Sequence, residues 1–168
     1  PAISKKAVIV KRFFDIVISI IGLILTSWLF LIVAIAIKIE DGGSVFYRQD
    51  RCTKDGKIFS ILKFRSMIEH IEDGKIYITK HKDNRITKVG YIIRKTKIDE
   101  LPQLVNILKG DMSLVGPRPE RPELIADILK EIPEYNFRTT VKAGLTGYAQ
   151  VHGDYHTDFL EKLRWDMI

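Results

Sequence analysis

The sequence IVISIIGLILTSWLFLIVAIAI, at residues 16–37, decides the fold because it contains no charged side chain. As an α-helix it would measure roughly 33 Å, which is long enough to cross the hydrocarbon core of a bilayer. A secretory signal peptide has a shorter apolar core of about 7–15 residues that ends at small residues, whereas Lys38, Ile39 and Glu40 follow here. Buried helices of soluble proteins rarely run this long. We therefore predict a membrane-associated segment at residues 1–37, with an apolar helix at residues 16–37.

Basic residues flank this apolar run on both sides. They are Lys5, Lys6, Lys11 and Arg12 before it, and Lys38, Arg48, Arg51, Lys54 and Lys57 after it. Because positive charges are retained on the cytoplasmic face, both ends of the segment should lie there. Gly22 weakens a helix, and the hydroxyls of Thr26 and Ser27 can bond back to preceding carbonyls and bend it. The segment is therefore predicted to be re-entrant, entering and leaving the membrane on one face.

The remaining residues, 38–168, are mixed in polarity and numerous enough to bury the core of one domain. The whole chain of 168 residues carries a formal net charge of +6, which favours anionic partners such as phosphates and acidic lipids. It has no zinc-finger spacing, ribonucleoprotein signature or clear helix-turn-helix pattern, so we expect no nucleic-acid partner. Cys52 is the only cysteine, which excludes an internal disulfide and a metal site built on thiolates.

Two strands are predicted at residues 44–51 and 57–66, and Asp55-Gly56 between them is a signal for a hairpin turn. Residues 69–77 are polar and partly loop. Apolar residues at helical spacing predict three amphipathic helices, at residues 96–109, 120–132 and 157–167. The predicted fold class is α+β: a re-entrant N-terminal membrane helix followed by a small cytoplasmic domain of amphipathic helices around a short antiparallel strand unit.

Two adjacent carboxylates, Asp99 and Glu100, lie in the most informative stretch, RKTKIDELPQLVNILKGDMSLVGPRP at residues 94–119. The predicted helix begins close to Asp99, because Pro102 is tolerated only in a first turn. A helix N-terminus favours anions, and an ionised Asp can attack phosphorus while a neighbouring Glu holds Mg²⁺. The nearby basic residues are Arg94, Lys95, Lys97 and Arg118. Because Asp is also a favoured N-cap, the residues alone leave two explanations open, a phosphate site or an ordinary helix cap.

The same stretch resembles the signature of the bacterial sugar transferase family, the monotopic phosphoglycosyl transferases. Further matches along the chain are KRFFD at residues 11–15, VFYRQ at 45–49, KFRSM at 63–67 and GLTGYAQV at 144–151. The resemblance implies that Asp99 is a covalent nucleophile and that Glu100 assists with a Mg²⁺ cofactor, as its ligand.

By the same resemblance, Lys63, Arg94 and Arg118 match positions that bind substrate phosphates, and Asp166 matches an acidic position near the active site. On the residues alone, each of the four is equally a solvated surface charge. The implied reaction moves a sugar-1-phosphate from a UDP-sugar to polyprenyl (undecaprenyl) phosphate through a sugar-phosphoryl-aspartate and releases UMP. It would be the first membrane step of polysaccharide or glycoconjugate assembly, on the cytoplasmic face of the bacterial inner membrane.

Two other classes of function stay open, a membrane-tethered binding domain without catalysis and a Mg²⁺-dependent lipid phosphohydrolase. The chain also departs from the family pattern. Ser27-Trp28 replaces the Ser-Pro pair that turns the membrane helix back, and GDY at residues 153–155 replaces a following Arg of small family members. This tail and RPERPE at residues 118–123 resemble the catalytic part of larger polysaccharide-initiating members. We therefore expect a fragment of such a protein, truncated at its C-terminal end, with a hexose donor such as UDP-glucose or UDP-galactose.

Overall fold

The computed structural model of the chain describes residues 4–68, 83–153 and 158–167. The helices are α1 (Lys5–Asp41), α2 (Lys88–Lys95), α3 (Gln103–Lys109), α4 (Pro122–Glu131), α5 (Tyr148–His152) and α6 (Phe159–Asp166). The strands are β1 (Phe46–Cys52), β2 (Ile58–Phe64), β3 (Ser113–Val115) and β4 (Gly144–Thr146). Short 3₁₀ segments lie at Lys54–Gly56, Ile98–Glu100 and Pro133–Thr140. The mixture of helices and strands, with one long apolar N-terminal helix and a small sheet, confirms the α+β part of the predicted fold class. The polar stretch at residues 69–77 lies outside the described residues.

The apolar run forms the middle of α1, which is longer than the predicted helix at both ends. The Ser4 hydroxyl caps its start by accepting a hydrogen bond from the Ala7 N–H at 3.2 Å. Gly42 ends it with a φ of 72°, a left-handed conformation that glycine adopts without strain. By length and composition α1 could cross a membrane. The hydroxyls of Thr26 and Ser27 bond back to the carbonyls of Gly22 and Ile24, at 2.7 and 2.9 Å, and the helix continues through them.

One face of α1 packs against the rest of the chain along most of its length. Its buried residues are Asp15, Ser19, Val33 and Ile37, and the opposite face exposes large apolar side chains such as Leu25 (67%), Trp28 (62%) and Leu31 (63%). Near one end, the Arg12 guanidinium donates to the carbonyls of Ile107 and Leu108 at the end of α3. Near the other end, the Glu40 carboxylate accepts from the first N–H groups of α2. The same domain therefore holds both ends of α1.

The predicted hairpin is confirmed, with strands slightly shorter than expected. β1 and β2 pair antiparallel, with Phe46 opposite Phe64 and Cys52 opposite Ile58. Asp55 and Gly56 in the connection have φ values of 58° and 70°, so the turn uses the positive φ that its sequence signals.

A second, parallel sheet joins β3 to β4, which the predicted antiparallel unit does not include. Each of these strands has only three residues, too few for alternation to show in the sequence. Gly144 and Gly116 touch across this sheet: a Cβ on Gly144 would collide with the backbone of Gly116. Their lack of side chains lets the Gly-Pro-Arg-Pro turn lie directly against β4.

Three clusters of buried apolar side chains form the core. The first is built on Phe59, Ile61, Leu104, Ile107 and Met112, the second on Val33, Ile37, Phe64 and Ile93, and the third on Ile128, Tyr135 and Leu163. Leu23 of α1 packs on the first cluster, and α1 supplies two members of the second. The predicted helices at 120–132 and 157–167 contain α4 and α6, which form the third cluster together with Tyr135 of the segment Pro133–Thr140.

Candidate active site

The acidic pair lies in the 3₁₀ turn Ile98–Glu100, between α2 and α3. The predicted helix over residues 96–109 is therefore wrong in its first half: α3 begins at Gln103, and its N-cap is Pro102 rather than Asp99. The break occurs because Lys97 adopts a φ of 60°, which a right-handed helix cannot continue through. A positive φ at a residue with a Cβ costs energy, and such residues cluster at functional sites. Asp99 is therefore not the N-cap of α3, and the explanation of its place in the sequence as an ordinary helix cap is not supported.

Glu100 lies between two cations that come from different parts of the chain. Its Oε1 accepts hydrogen bonds from Lys63 Nζ at 2.7 Å and from Arg118 Nη2 at 3.1 Å. Burial raises the pKa of Glu100, but the charges of Arg118 and Lys63 outweigh this effect and hold the pKa at about 2. Glu100 is therefore ionised at any physiological pH. The Lys63 pKa is itself lowered by burial, against the opposing charge of Glu100.

Asp99 is in the opposite situation, although it is the next residue in the chain. It is 8% exposed, and its buried Oδ1 has no hydrogen-bond partner within the described part of the chain. Burial raises its pKa, and the charges of Lys63, Arg94 and Lys97 oppose that rise while Glu100 adds to it. A buried carboxylate oxygen without a donor is energetically costly, so its presence calls for a functional explanation.

Of the predicted phosphate-binding residues, Lys63 and Arg118 contact Glu100 directly. Lys63 extends from β2, while Arg118 extends from the Gly-Pro-Arg-Pro turn and keeps 43% of its side chain exposed. Arg94 lies at the end of α2 and acts on Asp99 through its charge. Three cations from three separate segments therefore surround two carboxylates, which is a suitable arrangement for holding a diphosphate.

Asp166, which its motif match predicts to lie near the active site, pairs with an arginine. Its carboxylate is 3% exposed and accepts a hydrogen bond from Arg138 Nε at 2.7 Å. Arg138 Nη2 in turn donates to the backbone carbonyl of Arg118 at 3.3 Å. Asp166 is thus linked to Arg118 through an arginine that the sequence analysis missed. Arg138 follows Pro133 in a polar stretch without periodicity, and nothing in that pattern distinguishes it from a solvated charge.

The residues present fit a Mg²⁺ ion only in part. Within the described ranges, no group of three or more metal-binding side chains could form a complete cage. Mg²⁺ is commonly held by one or two carboxylates together with substrate phosphates, however. Glu100 already gives Oε1 to two cations, which leaves its Oε2 as an oxygen ligand of the right chemistry.

Most of this chain is similar in sequence to known proteins. A profile of the family described as bacterial sugar transferase matches residues 6–168. The chain is 44% identical over 149 residues to the UDP-N-acetylgalactosamine-undecaprenyl-phosphate N-acetylgalactosaminephosphotransferase of Aeromonas hydrophila, covering 89% of this chain and 35% of that protein. It is 41% identical over 156 residues to the UDP-glucose:undecaprenyl-phosphate glucose-1-phosphate transferase of Escherichia coli (strain K12), covering 92% of this chain and 34% of that protein.

A shorter relative is covered more completely. The putative undecaprenyl-phosphate N-acetylgalactosaminyl 1-phosphate transferase of Bacillus subtilis (strain 168) is 44% identical over 130 residues, which cover 77% of this chain and 72% of that protein. The chain spans about a third of the length of the Aeromonas and Escherichia relatives. The family match extends over the apolar helix and over every residue of the site described above. The chain therefore belongs to the bacterial sugar transferase family.

Proposed function

We propose that this chain catalyses the transfer of a sugar-1-phosphate from a UDP-sugar to polyprenyl phosphate, with Asp99 as the nucleophile. The observation that carries the proposal is the buried, unpartnered Oδ1 of Asp99 beside a Glu100 that is held by Lys63 and Arg118. The names of the relatives supply the substrates, since they describe UDP-sugars as donors and undecaprenyl phosphate as acceptor.

In the first step, a carboxylate oxygen of Asp99 attacks the phosphorus next to the sugar. The bond between this phosphorus and the bridging oxygen breaks, and UMP leaves with the electron pair, so that the sugar-phosphate becomes an acyl phosphate on Asp99. An oxygen that accepts no hydrogen bond has its lone pairs available for attack. The low exposure of Asp99 also removes water that would otherwise solvate the carboxylate or hydrolyse the acyl phosphate.

In the second step, a phosphate oxygen of the polyprenyl phosphate attacks the same phosphorus. The bond to Asp99 breaks, the carboxylate is regenerated, and the product is a polyprenyl diphosphate sugar. Lys63, Arg94 and Arg118 hold the phosphate oxygens, because charge spread over a transferring phosphoryl group is stabilised by fixed cations. We assign the Mg²⁺ to Glu100, where the ion would neutralise the diphosphate; Asp99 stays free to react.

The exposed apolar face of α1 supports a position of this helix in the membrane. Arg12 and Glu40 are separated by roughly 42 Å of helix, which is more than the hydrocarbon core of about 30 Å. Both residues nevertheless bond to backbone groups of the same polar domain. A helix crossing the bilayer upright would carry that domain through the lipid. We therefore infer that α1 is re-entrant or lies in one leaflet, with the site on the cytoplasmic face, where nucleotide sugars occur.

The decisive experiment measures UMP release by the protein in lipid nanodiscs containing undecaprenyl phosphate and Mg²⁺, with a panel of UDP-sugars. We expect UMP release that depends on the acceptor over many turnovers and a polyprenyl diphosphate sugar as the lipid product. A binding domain would retain UDP-sugar without releasing UMP. A lipid phosphohydrolase would release inorganic phosphate without any nucleotide. Either of these outcomes would contradict the proposal.

A further inference from the structure

The turn that carries Arg118 is held by its carbonyl groups. Pro117 and Pro119 have no backbone N–H, so the turn cannot be fixed by donating from these positions. Instead, all four consecutive carbonyls of residues 117–120 accept hydrogen bonds from outside the turn. The donors are, in chain order of the acceptors, Gly144 N (2.9 Å), Arg138 Nη2 (3.3 Å), Arg51 Nη1 (3.1 Å) and Cys52 N (3.0 Å).

Two of these donors are guanidinium groups, and Arg138 is the more deeply buried of the two, with 5% of its side chain exposed against 17% for Arg51. The planar fork of Arg138 makes three different bonds: Nε to the Asp166 carboxylate, Nη1 to the Tyr135 hydroxyl and Nη2 to the Arg118 carbonyl. Among the described residues, Asp166 is the only carboxylate that accepts a hydrogen bond from Arg138, and Glu120 lies farther away at 3.9 Å. A lysine could not reach three acceptors in one plane.

We propose that Arg138 is a positioning residue of the transfer reaction, which sets the place of the Arg118 guanidinium by holding the Arg118 backbone. Asp166 and Tyr135 fix the orientation of Arg138. The inference rests on the proposed function, and it assigns Asp166 a role that its family match does not predict. Asp166 does not touch the substrate; it acts indirectly, by orienting Arg138, which in turn holds the Arg118 backbone.

The arrangement has a physical reason in the chemistry of the site. The Arg118 side chain is partly exposed, and its only hydrogen bond to a described side chain is the one to Glu100. A long exposed side chain has many rotamers, so the position of its backbone must be fixed if the guanidinium is to meet a phosphate reproducibly. The ion pair between Arg138 and Asp166 fixes it from α6, while Arg51 fixes the next carbonyl from β1.

The test is a double-mutant cycle between Arg138→Gln and Arg118→Ala, in nanodiscs, with kcat and KM for UDP-sugar measured on the folded fraction. We expect Arg138→Gln to lower kcat/KM by about tenfold to a hundredfold, the size of one charge-assisted bond to phosphate. In the Arg118→Ala background the same change should lower kcat/KM less than about twofold, because its target is already gone. Arg138→Lys and Asp166→Asn should show the same coupling. Should Arg138→Gln fail to fold, Asp166→Asn replaces it in the cycle.

A purely structural role would lower the folded fraction and reduce activity by the same factor in both backgrounds, which would overturn the inference. A second readout needs no turnover: the Nε–H resonance of Arg118 in protein labelled with ¹⁵N-arginine, assigned by its loss in Arg118→Ala. We expect this resonance to move in Arg138→Gln and to stay in place in Lys130→Met, which removes only the exposed ion pair with Asp127 on α4. An unmoved resonance overturns the inference even if UMP is released. A moved resonance without UMP release by the wild type contradicts the proposed function instead.

Discussion

Asp99 and Glu100 are neighbours in the chain, yet their carboxylates have opposite surroundings: two cations donate to Glu100, while Oδ1 of Asp99 accepts no hydrogen bond from the described residues. The pKa of Glu100 is accordingly held at about 2, and that of Asp99 is raised by burial. Two carboxylates whose environments separate their pKa values commonly have two different roles. This difference supports the proposed roles of Asp99 as nucleophile and Glu100 as the binding carboxylate.

Asp99→Asn should abolish transfer and leave the fold intact. The amide matches the carboxylate in size but is no nucleophile, and its replacement of Oδ1 breaks no hydrogen bond. Because the raised pKa of Asp99 means that its ionised form is disfavoured in the folded state, the thermal unfolding midpoint at pH 7 should be no lower than that of the wild type. UMP release and intact mass check this. Wild type given UDP-sugar without acceptor should gain one sugar-phosphate, and Asp99→Asn should gain none.

Asp127→Asn is the matched control, since Asp127 is an exposed carboxylate on α4. It should keep wild-type turnover. More than a trace of turnover in Asp99→Asn, or a mass gain mapped to another residue, would show that Asp99 is not the nucleophile.

Arg118→Ala should weaken transfer far more than expected for a side chain that is 43% exposed. The loss of one charge-assisted bond to a phosphate costs about 1.5–3 kcal/mol, or roughly one to two decades in kcat/KM. Arg118→Lys should recover only part of this loss, because an ammonium lacks the bidentate fork. Steady-state kinetics with UDP-sugar measures both variants. Wild-type kinetics in both would mean that Arg118 only shapes its turn.

The acid limb of the pH–rate profile should report the pKa of Asp99, because this residue reacts only when it is ionised. Activity should rise with pH as the carboxyl loses its proton, at a midpoint above 3.8 because burial raises the pKa. The charge of Arg94 lowers this pKa, so Arg94→Gln should move the limb to higher pH. Single-turnover UMP release against pH measures the midpoint. Lys95→Gln, the adjacent exposed cation, should leave the limb in place. If Arg94→Gln and Lys95→Gln had the same midpoint, the charge of Arg94 would not act on the pKa of Asp99.

Glu100 should make the folded state sensitive to acid. Its pKa falls from an ordinary 4.5 to about 2 on folding, so its contribution to stability is complete above pH 4.5 and is lost as the pH falls from 4.5 towards 2. Glu100→Gln lacks this titration. The difference in unfolding midpoint between pH 5 and pH 3 should therefore be smaller in Glu100→Gln than in the wild type. An equal difference in the two proteins would mean that the ion pairs with Lys63 and Arg118 do not persist in solution.

Both ends of α1 should be on the cytoplasmic side of the membrane. The test places single cysteines at Ala7 and Ser44, exposed positions near the two ends of α1, in a Cys52→Ser background. An impermeant thiol reagent applied to intact cells should label neither position, and both should be labelled after the cells are opened. Labelling of only one position in intact cells would demonstrate a full span.

How far the sequence predicts this structure depends on how local each signal is. The hairpin follows from Asp55-Gly56, whose positive φ values are a property of the turn itself. The start of α3 does not follow from local signals, because the break at Lys97 is imposed where α2 packs on α1 and the acidic turn contacts β2. The pattern of apolar residues continues across that break, and so it predicts one helix over residues 96–109 where the structure has a turn followed by the shorter α3.

The candidate site, too, is only partly predictable from the sequence. Asp99, Glu100 and the cations Lys63, Arg94 and Arg118 all carry motif signals, and the structure brings them together. Arg138 carries none, because a buried arginine and a solvated one look alike in a sequence. Only the fold shows that Asp166 and Arg138 meet, across a separation of 28 residues. A parallel pair of strands with three residues each likewise cannot be predicted from the sequence pattern.

The contact between α1 and two of the core clusters makes α1 a structural part of the domain that carries the site. Val33 and Ile37 are buried in the second cluster, and each such side chain contributes about 1.5–3 kcal/mol when it leaves water. A version trimmed to residues 38–168 for easier handling would lose these residues and Leu23 of the first cluster, and it would present the uncovered faces of Phe64 and Leu104 to solvent. Such a trimmed protein should aggregate rather than remain as a soluble enzyme. Detergents that disturb the packing of α1 on α3 and β2 should likewise inactivate the site, although α1 supplies none of its residues.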